Sequence, residues 1–242
     1  MPIESLAGPL VLAAIFLGGG AVHTASPRVA LSVGAGVSTA YVFVYMLPEL
    51  SEASAAFVTA TAGWALPVPR LRVYGSALVG FLVFYGLENM MARSGEHETR
   101  DEAGRESLRA VAFVHIGGFA AYVWLVSYLM VRGVTNEPVP IVLYTFAMAL
   151  HFLGINHSLR REHGAEYDHV GRFVLAGAVL LGWLVGVLTE VAKPVVITGL
   201  GLVSGGVLMN SIVMELPGNQ DDRFWPFALG AIGYAGLLVM AW

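Results

Sequence analysis

Two histidines lie inside apolar stretches of the chain, where no water is present to satisfy their ring nitrogens. His115 and His151 each fall within a run of mostly apolar residues that predicts a helix. If these helices are antiparallel neighbours, both imidazoles lie near the same depth. Imidazole is a good ligand for zinc and related divalent ions, so the pair indicates a metal site. Each histidine could instead bond a backbone carbonyl or a tyrosine such as Tyr122 or Tyr144.

Glu215 is a candidate third ligand near the end of a later apolar stretch. It shares one helical face with Ser204, Leu208 and Ser211, because their spacing follows the period of an α-helix. We predict Glu215 as an accessory metal ligand. Polar residues that could assist the site are Asn156, His157, Asn210 and Ser211.

A polar run follows the stretch that contains His151. His163, Asp168 and His169 lie in this run and could collect cations at the cytoplasmic end of a pathway. Runs of mixed charge are more often solvated loops, and we expect a loop here.

The composition predicts an integral membrane protein. Of the 242 residues, 57% are hydrophobic and only 12% are charged, about half the charged fraction of soluble domains. Apolar runs of helix-spanning length recur along the chain. The chain has no cysteine, so disulfides and thiolate metal sites are excluded. The net charge of -4 gives no indication of nucleic-acid binding.

We predict an all-α polytopic membrane protein with about eight transmembrane helices. The predicted spans are 7–25, 29–48, 74–92, 108–131, 139–160, 171–192, 195–217 and 224–242. The charged stretch from Arg93 to Arg109 is expected to be an aqueous loop.

The distribution of basic residues predicts the orientation. Nine arginines fall in the connections after the first, third, fifth and seventh spans, and four basic residues fall on the opposite side. The first set is therefore assigned to the cytoplasm. Both termini are then non-cytoplasmic, in a multi-pass protein of the plasma (inner) membrane.

The second and seventh predicted helices are similar in sequence. Aligning Pro48 with Pro217 brings Gly36 onto Gly205, an offset of 169 residues. The two helices run in opposite directions, so we predict an inverted repeat, a common architecture of transporters. The arrangement is 3+2+3 within one transmembrane domain: residues 1–92, a cytoplasmic loop at 93–107, a central pair at 108–160, and residues 171–242.

Several motifs resemble those of the ZIP family of divalent metal transporters. They are Leu47-Pro48-Glu49, the run from Leu181 to Gly186, the glycine-rich run from Gly199 to Gly206, and Glu215-Leu216-Pro217. In that family, the fourth and fifth helices carry His-x-x-Pro-Glu-Gly-type metal-binding motifs. His115 and His151 match the leading histidine, but the proline and the carboxylate are absent after both.

The resemblance implies a transporter that moves a divalent, zinc-like cation into the cytoplasm past His115 and His151. The metal is the substrate, no organic cofactor is implied, and we expect no enzymatic activity. The lipid bilayer is the expected partner, with a homodimer left open and no nucleic acid. Two alternatives remain. One is a ZIP-fold protein that carries another solute or acts in binding or sensing, and the other is a membrane-embedded metal-dependent hydrolase.

Overall fold

The chain is helical throughout the part that the structure describes. The computed structural model describes residues 6–18, 27–52, 68–96, 102–132, 138–215 and 224–241, with only the backbone described near several helix ends. No strand occurs in these ranges. The prediction of an all-α protein is confirmed.

Eight helices follow one another along the described part of the chain. They are α1 (Ala7–Gly18), α2 (Pro27–Tyr41, continuing through a π-helical turn at Val42–Met46 to residue 52), α3 (Val68–Glu96), α4 (Glu102–Arg132), α5 (Pro138–Glu166), α6 (Arg172–Leu188), α7 (Lys193–Glu215) and α8 (Phe224–Ala241). A second π-helical turn, Tyr167–Gly171, joins α5 to α6.

The helices have the length and polarity of a multi-pass membrane protein. Within the described residues, six helical segments are long and apolar enough to cross a bilayer. Many of their large apolar side chains face outward, including Leu229, Ile232 and Met240, each about 70% exposed or more. An outward apolar surface is stable only in an apolar surrounding. The fold is therefore that of a helical membrane protein.

One of the six segments, Ile141–Leu188, is too long for a single crossing. Its 48 residues would extend about 72 Å as one straight helix, against a hydrocarbon core of about 30 Å. Gly164 interrupts it with φ 48° and ψ −114°, a conformation that glycine adopts without a Cβ penalty. Helices α5 and α6 on either side of this break both pack against α1, so the chain folds back here.

The structure differs from the predicted connections at two places. Helices α3 and α4 extend into the charged stretch expected to be a loop, which leaves only residues 97–101 outside the described part. Helix α5 continues past residue 160 to Glu166, through most of the expected cytoplasmic loop. Glutamate, arginine and alanine are strong helix formers, so a polar run of this composition prolongs a helix beyond the apolar part.

Two pairs of helices pack through matching glycines. Helix α2 packs against α8, and helix α3 packs against α7. A Cβ added at Gly36 in α2 would collide with the backbone carbonyl of Phe227 in α8. A Cβ added at Gly205 in α7 would collide in the same way with the carbonyl of Ala77 in α3. Both helix pairs therefore depend on a glycine for their close approach.

The reciprocal contacts are also repeated. A Cβ at Gly80 in α3 would collide with the carbonyl of Leu202 in α7. A Cβ at Gly230 in α8 would collide with the carbonyl of Val33 in α2. Val33 and Leu202 differ by the same 169 residues as the aligned glycines of α2 and α7. The two interfaces thus use equivalent positions on each helix.

The centre of the described structure is closely packed and mainly apolar. Phe119 and Ile155 are both buried, and Phe84 packs its ring against Phe119 and Tyr122. The predicted metal-site helices α4 and α5 thus border an aromatic and aliphatic core.

Candidate metal centre

His115 is a fully buried histidine on α4. Its ring packs edge-on against Phe119, one turn further along the same helix, with ring centroids 5.1 Å apart. This contact fixes the side of the helix from which the imidazole projects. A buried imidazole surrounded by apolar groups needs polar partners from neighbouring helices.

Two of these partners come from the last turns of α5. His115 Nδ1 lies 2.9 Å from His163 Nε2 and 3.6 Å from Glu162 Oε2. The second carboxylate oxygen of Glu162 accepts a hydrogen bond from the Ser158 hydroxyl at 2.7 Å, which orients the carboxylate. His163 is buried, and Glu162 is about four-fifths buried.

The three ligand atoms have the spacing of a metal site. One ligand atom each from His115, Glu162 and His163 all lie within 4.8 Å of one another. Ligands about 2.1 Å from a tetrahedral zinc ion are separated by roughly 3.4 Å, so small adjustments would accommodate zinc. A fourth position would remain for water or another ligand. The 2.9 Å separation also suits a hydrogen bond between the two rings.

Glu88 approaches the same imidazole from the other side. Its Oε1 lies 3.7 Å from His115 Nε2, a buried nitrogen without a hydrogen-bond partner among the described residues. The two nitrogens of His115 therefore face different groups. A carboxylate beside the non-ligating nitrogen favours the tautomer protonated there and leaves the other nitrogen free to bind metal. Glu88 is a candidate positioning residue rather than a ligand.

The end of α5 determines the position of His163. Gly164 follows it directly with a positive φ, so the chain turns away immediately after the histidine. A Cβ at Gly171, beyond the turn, would collide with the Tyr167 ring and closely approach Ile116 beside His115. Glycines at both positions allow the α5–α6 turn to pack against α4.

The structure does not bring His151 to this cluster. His151 Nε2 lies 3.0 Å from the Tyr122 hydroxyl, and the residue is buried. Twelve residues of α5 separate His151 from His163, a rise of about 18 Å. His115 and His151 therefore belong to separate polar clusters, because one ion cannot contact both His163 and His151. Tyr122 is one of the hydrogen-bond partners considered for these histidines from the sequence.

Other candidate residues lie on α5 and in the turn that follows it. Asn156 is buried, accepts a hydrogen bond from the Tyr167 hydroxyl at 2.6 Å and donates one to the Ile15 carbonyl at 3.4 Å. His157 is exposed. His169 is exposed and bonds the Ala165 carbonyl, while Asp168 pairs with Arg160 at 2.8 Å.

The remaining candidates lie on α7. Asn210 and Ser211 are buried, and each has a polar atom without a hydrogen-bond partner among the described residues. Glu215 ends α7, but its side chain lies outside the described residues. Its role as an accessory ligand stays a prediction.

Neither Glu88 nor Glu162 is among the ligands predicted from the sequence, and the polar run that contains Glu162 was expected to be a loop. Of the two, Glu162 has a local sequence signal, because it directly precedes His163 and lies four residues after Ser158. The approach of Glu88 to His115 depends on how α3 packs against α4, and no local sequence signal indicates it.

These features define a helical membrane protein with a buried His–Glu–His cluster where three helices meet. No protein-family model matches the chain, and no curated protein is significantly similar to it.

Proposed function

We propose that this chain is a ZIP-like transporter that moves a divalent, zinc-like cation into the cytoplasm. The observation that carries the proposal is the convergence of His115, Glu162 and His163, whose ligand atoms lie within 4.8 Å of one another. Two imidazoles and one carboxylate form a donor set found in zinc sites with an exchangeable fourth position. An exchangeable position is what a transient cargo ion requires.

The packing of the helices supports the transporter part of the proposal. In an eight-helix 3+2+3 arrangement with an inverted repeat, α2 corresponds to α7 and α3 corresponds to α8. The contacts of Gly36 with Phe227 and of Gly205 with Ala77 then become equivalent. Two such repeats can rock against each other to expose a site alternately on either side.

The cluster would be the cation-binding site at the cytoplasmic end of the transport pathway. Glu88 lies near the end of α3, close in sequence to Arg93, and Glu162 directly follows Arg160 and Arg161. We assign this arginine-rich end to the cytoplasm by the positive-inside rule. His151 and Glu215, predicted as ligands from the sequence, would belong to other points along the route.

The proposal is tested by zinc binding and zinc uptake in the same preparation. The protein is purified, its zinc affinity is measured by calorimetry in nanodiscs, and uptake is followed in proteoliposomes with an internal zinc dye. The variant carrying His115→Ala and His163→Ala is expected to lose both stoichiometric binding and uptake. Glu166→Ala is the control, because Glu166 is exposed at the same end of α5 and belongs neither to the cluster nor to any other predicted site. Unchanged uptake in the double variant would reject the proposal.

A zinc-binding or sensing protein without transport is the second candidate. The observation that favours it is the burial of Phe119 and Ile155, which makes the described centre apolar and closely packed. Under this alternative, the cluster binds zinc and the double variant loses that binding. No zinc enters proteoliposomes with either form of the protein.

A further inference from the structure

A basic pocket lies where α5 turns into α6. Its lining consists of Arg160, Asp168, His169, Arg172 and Phe173, and its volume is about 620 Å³. None of these residues belongs to the His115 cluster. The volume falls in the range of small-molecule sites, and the pocket is widely open to its surroundings.

The two arginines of the pocket differ in their hydrogen-bond partners. Arg160 Nε donates to Asp168 Oδ1 at 2.8 Å, so its charge is largely compensated. Arg172 Nε is buried and has no hydrogen-bond partner among the described residues. Its guanidinium lies over the Phe173 ring, 4.6 Å from the centroid, which holds the group in a fixed orientation. The pocket is thus lined by an arginine whose guanidinium packs on an aromatic ring, and its two arginines and one aspartate give it a net positive charge.

The surface beside the pocket is apolar. Val170, Phe173 and Val174 are each exposed by about 40% or more. They follow the turn at Gly164, where the chain passes from one long apolar helix into the next. A ligand here would meet a charged pocket at one end and an apolar helix face at the other. Lipids have this division of polarity, whereas soluble phosphates do not.

We propose that this pocket binds the phosphodiester headgroup of an anionic phospholipid. Arg172 donates to the phosphate oxygens, and Arg160 and His169 line the same pocket. The acyl chains lie along Phe173 and Val174. Basic pockets between helices on the cytoplasmic side of membrane proteins recognise anionic headgroups in this way.

The test compares lipid binding by the full chain and by two charge variants. Native mass spectrometry and thermal unfolding in detergent are recorded with added phosphatidylglycerol or phosphatidylcholine. Phosphatidylglycerol is expected to bind and to raise the unfolding temperature more than phosphatidylcholine. Arg172→Gln is expected to reduce phosphatidylglycerol affinity about fivefold or more, as expected for the loss of one interfacial charge. Arg161→Gln is the matched control, because Arg161 is exposed and does not line the pocket.

A second variant is expected to bind phosphatidylglycerol more tightly than the unaltered chain does. Misfolding cannot produce such a gain. Asp168→Asn removes the carboxylate that compensates Arg160, so phosphatidylglycerol affinity is expected to rise about fivefold. Equal losses in Arg172→Gln and Arg161→Gln would overturn the proposal and indicate diffuse attraction to anionic membranes. Displacement of the lipid by millimolar inorganic phosphate would also overturn it, because the site would then recognise a free anion.

Discussion

His115 Nδ1 lies 2.9 Å from His163 Nε2, although 48 residues separate the two histidines in the sequence. The contact joins α4 to the last turn of α5, and Glu162 beside it completes a group of three residues that could hold a metal ion. Buried imidazoles that face one another need either a shared proton or a shared metal ion. The nearby carboxylate favours a cation, because it supplies a negative charge within ion-pair distance of the ring.

The first prediction concerns Glu162, the carboxylate that we propose as a zinc ligand. Glu162→Gln keeps the size of the side chain and removes its charge, so zinc affinity is expected to fall by more than about 100-fold, beyond the usual effect of a supporting residue. Calorimetry on the protein in nanodiscs measures the change. Glu166→Gln is the control, because Glu166 is exposed at the end of the same helix. Similar affinities in the two variants would remove Glu162 from the ligand set.

The second prediction concerns Glu88, which faces His115 Nε2 from α3. Glu88→Gln is expected to weaken zinc binding roughly 10–100-fold without abolishing it, because the amide no longer stabilises the imidazole tautomer that binds through Nδ1. Cobalt substitution distinguishes this role from that of a ligand. The visible spectrum of bound cobalt is expected to keep its shape in Glu88→Gln. A changed coordination spectrum would instead identify Glu88 as a ligand.

The fold class could be predicted from the sequence, and both histidines of the cluster could be singled out from it as candidates. Apolar runs of spanning length predict helices directly, and a histidine such as His115 is conspicuous within one. The end of α5 could not be placed in this way, because the polar run around His163 suits a loop and a helical extension equally well. Only Gly164, with its positive φ, shows where the helix is interrupted, and that conformation is not encoded by glycine alone.

The partners of His115 depend on helix packing, which hydrophobic periodicity specifies poorly here. Membrane-facing and core-facing positions are both apolar, so the sequence of α3 does not reveal which side of the helix meets α4. From the sequence alone, Glu88 therefore has the pattern of an interfacial charge. Its position beside His115 follows only from the packing of α3 against α4. The predicted pairing of His115 with His151 assumes that the two histidines lie at the same depth. In the structure His115 contacts His163, which lies twelve positions after His151 and about 18 Å further along α5.

The third prediction is that His151 takes no part in the proposed zinc binding at the His115 cluster. Tyr122→Phe removes the hydroxyl that lies 3.0 Å from His151 Nε2. Stability is expected to fall by about 0.6–2 kcal/mol, the range measured for hydrogen bonds between membrane helices. Zinc affinity at the His115 cluster is expected to stay within about twofold, since the tyrosine is hydrogen-bonded at a different level of α5. Thermal unfolding and calorimetry measure the two quantities.

Tyr85→Phe is the control for this prediction, because Tyr85 is about half exposed. It is expected to change neither stability nor zinc affinity. A large loss of zinc affinity in Tyr122→Phe would show that His151 and His115 act in one site, as the sequence suggested.

The fourth prediction concerns the repeated glycine contacts. Gly36→Ala and Gly205→Ala each place a methyl group against the backbone of a neighbouring helix. Each is expected to destabilise the protein by about 1–3 kcal/mol, the usual cost of overpacking a close interface. The two losses are expected to be similar, because the α2–α8 and α3–α7 contacts use equivalent positions.

Gly86→Ala and Gly233→Ala are the controls for the glycine variants, since a Cβ at either position meets no atom within 4 Å. Both lie inside helices, so alanine is expected to stabilise them by about 0.5–1 kcal/mol. Thermal unfolding in a single detergent compares all four variants. A loss confined to Gly36→Ala or to Gly205→Ala would show that the two interfaces are not energetically equivalent, and the inverted repeat would lose its main structural support.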